Sequence, residues 1–127
     1  MTKREARFTV YFRHWLKAHP ALSAVFELKQ TRTDSIAFNA VEPHQLNALL
    51  AAKGDQGVIY KIPDDSRGVK PFDISYHRLS DAYVVVKFPS CFVIIDATAW
   101  NFEQNHTTRK SLTLTRAKEI AEICVEI

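Results

Sequence analysis

Apolar residues recur at helical spacing along residues 3–18: Phe8, Tyr11, Phe12, Trp15 and Leu16 form one stripe, while Arg4, Arg7, Lys17 and, less cleanly, Arg13 fall outside it. Pro20 ends this helix, because the residue before a proline is pushed out of the helical region. The period then drops to two. Leu22, Ala24, Phe26 and Leu28 alternate onto one face of a strand over 22–31, and Ser23, Val25, Glu27 and Lys29 onto the other. After a polar, turn-prone stretch at 32–40, a second helix is predicted over 43–53. Pro43 suits its first position, Gly54 supplies its stop, and Leu46, Leu49 and Leu50 point inward. GVIYKI (57–62) reads as a strand and PDDSRGVKPF (63–72) as a loop. The runs AYVVVKF (82–88) and CFVIIDA (91–97), separated only by Pro89-Ser90, predict an antiparallel hairpin buried on both faces. Residues 101–113 are polar and read as irregular. A last helix is predicted over 115–125, with Thr115 as its cap and Ala117, Ile120, Ala121 and Cys124 inward.

The predicted order is helix, strand, helix, strand, hairpin, helix, with no internal repeat and no linker: one α/β domain over residues 1–127. A hydrophobic share of 46% argues against disorder, and three glycines with five prolines exclude collagen-like and low-complexity chains. No apolar run approaches the ~18 residues of a membrane span, so no membrane partner is expected. The start MTKREARF carries no apolar signal core, and two cysteines are too few for a disulfide framework. Both point to a reduced, cytoplasmic protein with Cys91 and Cys124 packed in its core.

Charge is unevenly spread. Residues 1–32 hold seven Lys/Arg against Glu5 and Glu27, a net +5, whereas the remaining 95 residues carry −2. An N-terminal third this basic suits a phosphate-contacting surface, and it equally suits a solvated helix face.

Within that basic third, Glu27-Leu28-Lys29 puts a carboxylate and an ammonium on one face of a strand, because positions two apart share a face. Such a pair fits metal-assisted phosphodiester hydrolysis. Glu27 and the Leu28 carbonyl are hard oxygen ligands for Mg²⁺ or Mn²⁺, and Lys29 can orient the attacking water or offset phosphate charge. Taken alone, E-x-K is also an ordinary same-face ion pair. Glu5 lies three residues before Phe8 and seven before Phe12, on the inward stripe of the first helix, where a carboxylate needs a metal or a lysine as partner. Gln45 lies four residues before Leu49, at the edge of the second helix's buried stripe.

The succession FELKQT (26–31), SIAFNAV (35–41), PHQLNALL (43–50) and GVIYKI (57–62) resembles the core of the PD-(D/E)XK nuclease superfamily. Within it, the likeness is to RecU-type Holliday junction resolvases and their small phage-encoded relatives, with KPFD…AYVVVKF (70–88) similar to the phage relatives more loosely. The resemblance implies a restriction-endonuclease-like α/β core with a mixed central sheet flanked by helices. It implies a Mg²⁺- or Mn²⁺-dependent endonuclease acting on branched DNA such as a four-way junction, assembled as a homodimer in a bacterial or phage-infected cell. Glu27 and Lys29 match the metal-binding and nucleophile-assisting pair, Gln45 the supporting glutamine of the following helix, and Glu5 the acidic residue these folds often carry on the first helix. Arg4, Arg7, Lys17 and Arg32 are the expected DNA contacts.

One feature departs from the pattern. The family's metal-binding Asp belongs on the strand before E-x-K, yet residues 6–26 contain no Asp or Glu. Glu5 substitutes, or a carboxylate such as Asp73 or Asp34 arrives from a distant loop, or the site is degenerate and only binds DNA. The five histidines show no H-x-x-x-H spacing, neither cysteine has an activating base nearby in sequence, and no glycine-rich phosphate loop occurs.

Overall fold

Valine and isoleucine crowd the middle of the chain, and the sheet is built there. The computed structural model describes residues 3–127, with side chains from Ala6 onward. Its elements are α1 (Lys3–Lys17), β1 (Ala24–Gln30), β2 (Ser35–Ala37), a 3₁₀ turn (Phe38–Ala40), α2 (Pro43–Lys53), β3 (Val58–Lys61), β4 (Ile74–His77), β5 (Asp81–Lys87), β6 (Cys91–Asp96), α3 (Ala97–Asn105), β7 (Ser111–Thr113), α4 (Leu114–Ile120) and β8 (Ile123–Glu126). The main sheet has the order β1-β5-β6-β8 and is mixed: β1 runs parallel to β5, while β5–β6 and β6–β8 are antiparallel. Every residue of Ala82–Val86 and Cys91–Ile95 is buried, as the predicted hairpin required.

Strands buried on both faces need cover on both. Tyr83, Val85, Phe92 and Ile94 face α1, packing with Phe8 and Phe12 and with Phe26 and Leu28 of β1. Val84, Val86, Val93 and Ile95 face the opposite layer, where Leu46, Leu49 and Ala52 of α2, Trp100 of α3 and Ala117 of α4 close the core. Each fully buried Val, Ile or Phe contributes roughly 1.5–3 kcal/mol through burial. The chain is thus an α/β domain with a mixed four-stranded sheet between helices. No helix among the described residues is long and apolar enough to cross a membrane.

Of the three predicted helices, α1 and α2 lie within a residue of their expected bounds. Five expectations are corrected. The stretch 32–40 holds β2 and the 3₁₀ turn, and its Ile36 and Phe38 are buried. β2 pairs with β7, setting Ile36 opposite Leu112, so the irregular region expected at 101–113 holds the end of α3 and a strand. The helix expected over 115–125 stops at Ile120, and its cap is not Thr115 but Thr113, whose hydroxyl oxygen accepts from the Arg116 N–H at 3.2 Å. Residues 123–126 then pair with β6, which turns Cys124 outward; only Cys91 is a core thiol, and burial pushes its pKa up. Tyr11, expected inward, is 44% exposed, although its ring still meets Phe92 edge-on.

β3 and β4 form a separate antiparallel ribbon that the sequence predicted only by half, since 63–72 read as a loop and no strand was assigned at 74–77. Gly57 opens it at φ +73°; a Cβ there would come 2.6 Å from the His77 carbonyl oxygen, so only glycine fits. The ribbon's base is tied to the end of α2 by the Leu79 and Ser80 N–H groups, which donate to the carbonyls of Gly54 and Ala52. Ile59, Ile74 and Tyr76 remain more than half exposed.

α2, β6 and α3 meet at one ion pair. Lys53 Nζ lies 2.6 Å from Asp96 Oδ2, and Asp96 Oδ1 caps α3 by accepting from the Thr98 N–H at 2.8 Å. Burial pushes the Asp96 carboxyl up, but Lys53 and Thr98 outweigh it and hold the pKa below its ordinary 3.8. Asp96→Ala is expected to lower urea-unfolding stability by about 2 kcal/mol, from the lost cap and the stranded lysine. Because the folded pKa is depressed, this contribution is full above the unfolded carboxyl's value and fades as pH falls through the folded one. Wild type should therefore lose more stability than Asp96→Ala between pH 6 and pH 3, measured by urea titration at each pH.

Candidate functional site

β1 is the end strand of the main sheet, and its odd-numbered side chains face α2. Glu27 and Lys29 therefore project on the α2 side, with Lys29 Nζ 3.3 Å from Glu27 Oε1. Gln45, eighteen residues later, reaches the same atom: its Nε2 donates to Glu27 Oε1 at 3.2 Å. Gln45 is fixed in turn by its Oε1, which accepts from the Glu42 N–H at 3.0 Å at the start of α2. A glutamine in the first turn of a helix thus serves both the helix end and the carboxylate. Both contacts fall on Oε1, and Glu27 Oε2 has no hydrogen-bond partner among the described residues. The two side chains are 29% and 21% exposed, open enough to meet a ligand and buried enough to be held.

The backbone of β1 is divided the same way. The Thr31 N–H donates to the Lys87 carbonyl at 3.0 Å, continuing the parallel ladder with β5. Backbone groups alternate along a strand, so odd residues bond β5 and Phe26, Leu28 and Gln30 direct their N–H and C=O groups at the free edge. The Leu28 carbonyl proposed from sequence as a hard oxygen ligand is therefore at the edge beside Glu27. That edge opens into a groove of about 560 Å³ lined by Phe8 and Thr9 of α1, residues 27–30 and Ala40.

Of the expected DNA contacts, Arg7, Lys17 and Arg32 are exposed, and Arg7 and Arg32 line hollows that share Gln30 with the groove. Arg4 and Glu5 belong to α1, but their side chains lie outside the described residues. Asp73 is not brought to Glu27. It precedes β4 in the separate ribbon, is 82% exposed and pairs with Lys70 at 3.2 Å. Asp34 is likewise exposed, its carbonyl accepting from the Leu114 N–H. Among the described residues no three His, Cys, Asp or Glu side chains gather where they could hold a metal.

Two residues at the groove went unremarked in the sequence. Lys87 stands beside Gln30 in the β1–β5 register, and with Arg32 it lines one of the adjoining hollows. Gln30 Oε1 is buried without a hydrogen-bond partner among the described residues. Parallel pairing between strands fifty residues apart leaves no local mark, so neither was legible. A second charged cluster, Arg116 between Glu103 and Glu119, lies at α4; hydrogen bonding from Arg116 holds the Glu103 carboxyl below the usual range.

Gln45→Ala removes the half-box at α2 and the donor to Glu27 together. It is expected to cost about 1 kcal/mol in urea unfolding, with Gln45→Glu no better because it sets a second carboxylate against Glu27. Set beside known proteins, the chain matches no family model, no curated protein and no solved structure, so its site is read from its own residues.

Proposed function

We propose that this chain is a metal-dependent, structure-selective DNA endonuclease of the PD-(D/E)XK kind, hydrolysing phosphodiester bonds of branched DNA in the manner of a Holliday junction resolvase. The observation that carries the reading is the meeting of Glu27, Lys29 and Gln45 at contacts of 3.2–3.3 Å. These are three of the four positions that the resemblance singles out, on two elements far apart in sequence.

Glu27 and the edge-facing Leu28 carbonyl suit Mg²⁺ or Mn²⁺, which takes one or two carboxylates and completes its shell with water and phosphate oxygens. When bound, the ion supplies positive charge at the phosphate and a water of lowered pKa. The chain's own residues do the rest. Gln45 and Lys29 meet Glu27 at Oε1, and no described residue hydrogen-bonds Oε2. The Lys29 ammonium orients the attacking water and offsets charge on the phosphate. Arg7, Lys17 and Arg32 grip neighbouring phosphates, so affinity is salt-dependent. In-line attack of the water oxygen on phosphorus breaks the P–O3′ bond, leaving a 5′-phosphate and a 3′-hydroxyl. The two-fold symmetry of a four-way junction favours a homodimer making paired cuts, and the resemblance favours the cytoplasm of a bacterial or phage-infected cell.

A second reading, a nuclease-fold DNA-binding protein that does not cut, is favoured by one observation: Glu27 is the only carboxylate among the described residues lining the groove.

A labelled four-way junction and a matched linear duplex, each incubated in Mg²⁺ or Mn²⁺, separate the two. Paired nicks confined to the junction are expected, with Glu27→Ala and Lys29→Ala each slowing cleavage by at least about 10²-fold. Junction binding without cuts in either metal gives the non-cutting reading. Junction affinity should also weaken steeply with salt. Arg7→Ala combined with Arg32→Ala should lower the slope of log K against log salt by about two, read from filter binding at several salt concentrations.

A further inference from the structure

A strand at the end of a sheet is a template for another chain, and natural sheets blunt such edges with proline, bulges, unpaired charge or a covering segment. β1 has little of this. All seven of its residues pair with β5 in unbroken register, it contains no proline, and its two charged side chains are paired with each other on the α2 face. Its outer edge has no partner strand among the described residues. That edge opens into the groove of about 560 Å³, and Gln30 Oε1 is buried there without a donor among the described residues.

We propose that this groove is a peptide-binding site, in which an extended acidic segment of another protein adds to β1 as a fifth strand of the sheet. The proposal does not rest on the endonuclease reading. Three features carry it. First, Phe26, Leu28 and Gln30 present N–H donors and C=O acceptors in alternation along the edge. A phosphate backbone offers acceptors only, whereas a peptide strand answers both. Second, Phe26 to Gln30 spans about 13 Å at the rise of a strand, a length that four or five residues of an incoming strand match. Third, the groove and the two hollows that share Gln30 with it carry Arg7, Lys29, Arg32 and Lys87, against Glu27 as the one side-chain carboxylate among their described lining residues. Side chains of an added strand alternate between the two faces of the sheet. Those on one face lie beside Lys29 and those on the other beside Phe8, so the fitting segment alternates acidic with apolar residues.

The test uses the full chain, uniformly ¹⁵N-labelled, and a fluorescein-labelled heptapeptide alternating valine with aspartate. In the free protein, the amides of Phe26, Leu28 and Gln30 should exchange with D₂O quickly, and those of Val25, Glu27 and Lys29 slowly. Saturating peptide should slow the first three at least about tenfold, the protection of one added hydrogen bond each. By fluorescence anisotropy, N-methylation of the peptide's alternate, edge-facing amides should weaken binding about tenfold, and methylation of the other set less than about twofold. A valine–lysine peptide should bind at least about tenfold more weakly than the aspartate one. No anisotropy change at millimolar peptide overturns the proposal, as does binding indifferent to which amides are methylated. Slow exchange at all six amides without peptide, with a doubled mass in light scattering, overturns it in favour of pairing between two copies of this chain. Junction DNA that slows the same three amides as much as the peptide overturns it in favour of nucleic acid. The cleavage assay is unaffected by any of these results, so the two readings fail separately.

Discussion

The structure depends on the burial of one hairpin from both sides. β5 and β6 carry valine, isoleucine and phenylalanine on both faces, with no side chain from Ala82 to Val86 or from Cys91 to Ile95 left in water. Such strands cannot sit at a surface, so each face calls for a helical layer and each outer edge for a neighbouring strand. α1 supplies one layer with Phe8 and Phe12, and α2, α3 and α4 supply the other. β8 takes the edge of β6, and β1 takes the edge of β5. The position of Glu27 and Lys29 follows from that last step. They lie on the strand that completes the hairpin's cover, on the side where α2 brings Gln45 across.

That arrangement explains how a short glutamine side chain acquires two duties. α2 must begin close to β1 because Leu46 and Leu49 are needed in the core beneath β5. Its first turn then falls beside Glu27, and Gln45 satisfies the Glu42 N–H with one end while donating to the carboxylate with the other. Core packing sets the spacing, and the polar contact follows from it. A carboxylate held at Oε1, with no hydrogen bond to its other oxygen among the described residues, is the result.

Much of this was legible in the sequence where a single period governed a whole element. α1 and α2 declared themselves by the spacing of Phe8, Phe12 and Leu46, Leu49, and the hairpin by unbroken apolar runs. The failures have a common cause, which is that a distant partner decided the local state. Residues 121–125 fit a helix by period, yet the unclaimed edge of β6 drew Ile123 and Val125 into a strand, with the Glu122 N–H donating to the Ile94 carbonyl. The second half of α3, 101–105, read as irregular because its one apolar residue, Phe102, is more than half exposed among polar neighbours. β2 and β7, three residues each, are too short for any alternation to register. Of the site, the trio Glu27, Lys29 and Gln45 was legible; the parallel pairing that frees the Leu28 and Gln30 backbone groups was not.

One strand here is shared between two kinds of atom. Its odd residues contribute side-chain chemistry to the α2 face, and its even residues contribute main-chain groups to the open edge. Point substitutions act on these separately: exchanging Glu27 or Lys29 alters the charged pair and leaves the edge untouched, because every residue but proline carries the same N–H and C=O. An insertion of one residue acts on both at once, since it swaps the two parities along the strand. A lineage of such chains is therefore free to lose its chemistry one amino acid at a time while its edge persists, whereas a frame slip of a single position within β1 would abolish both together.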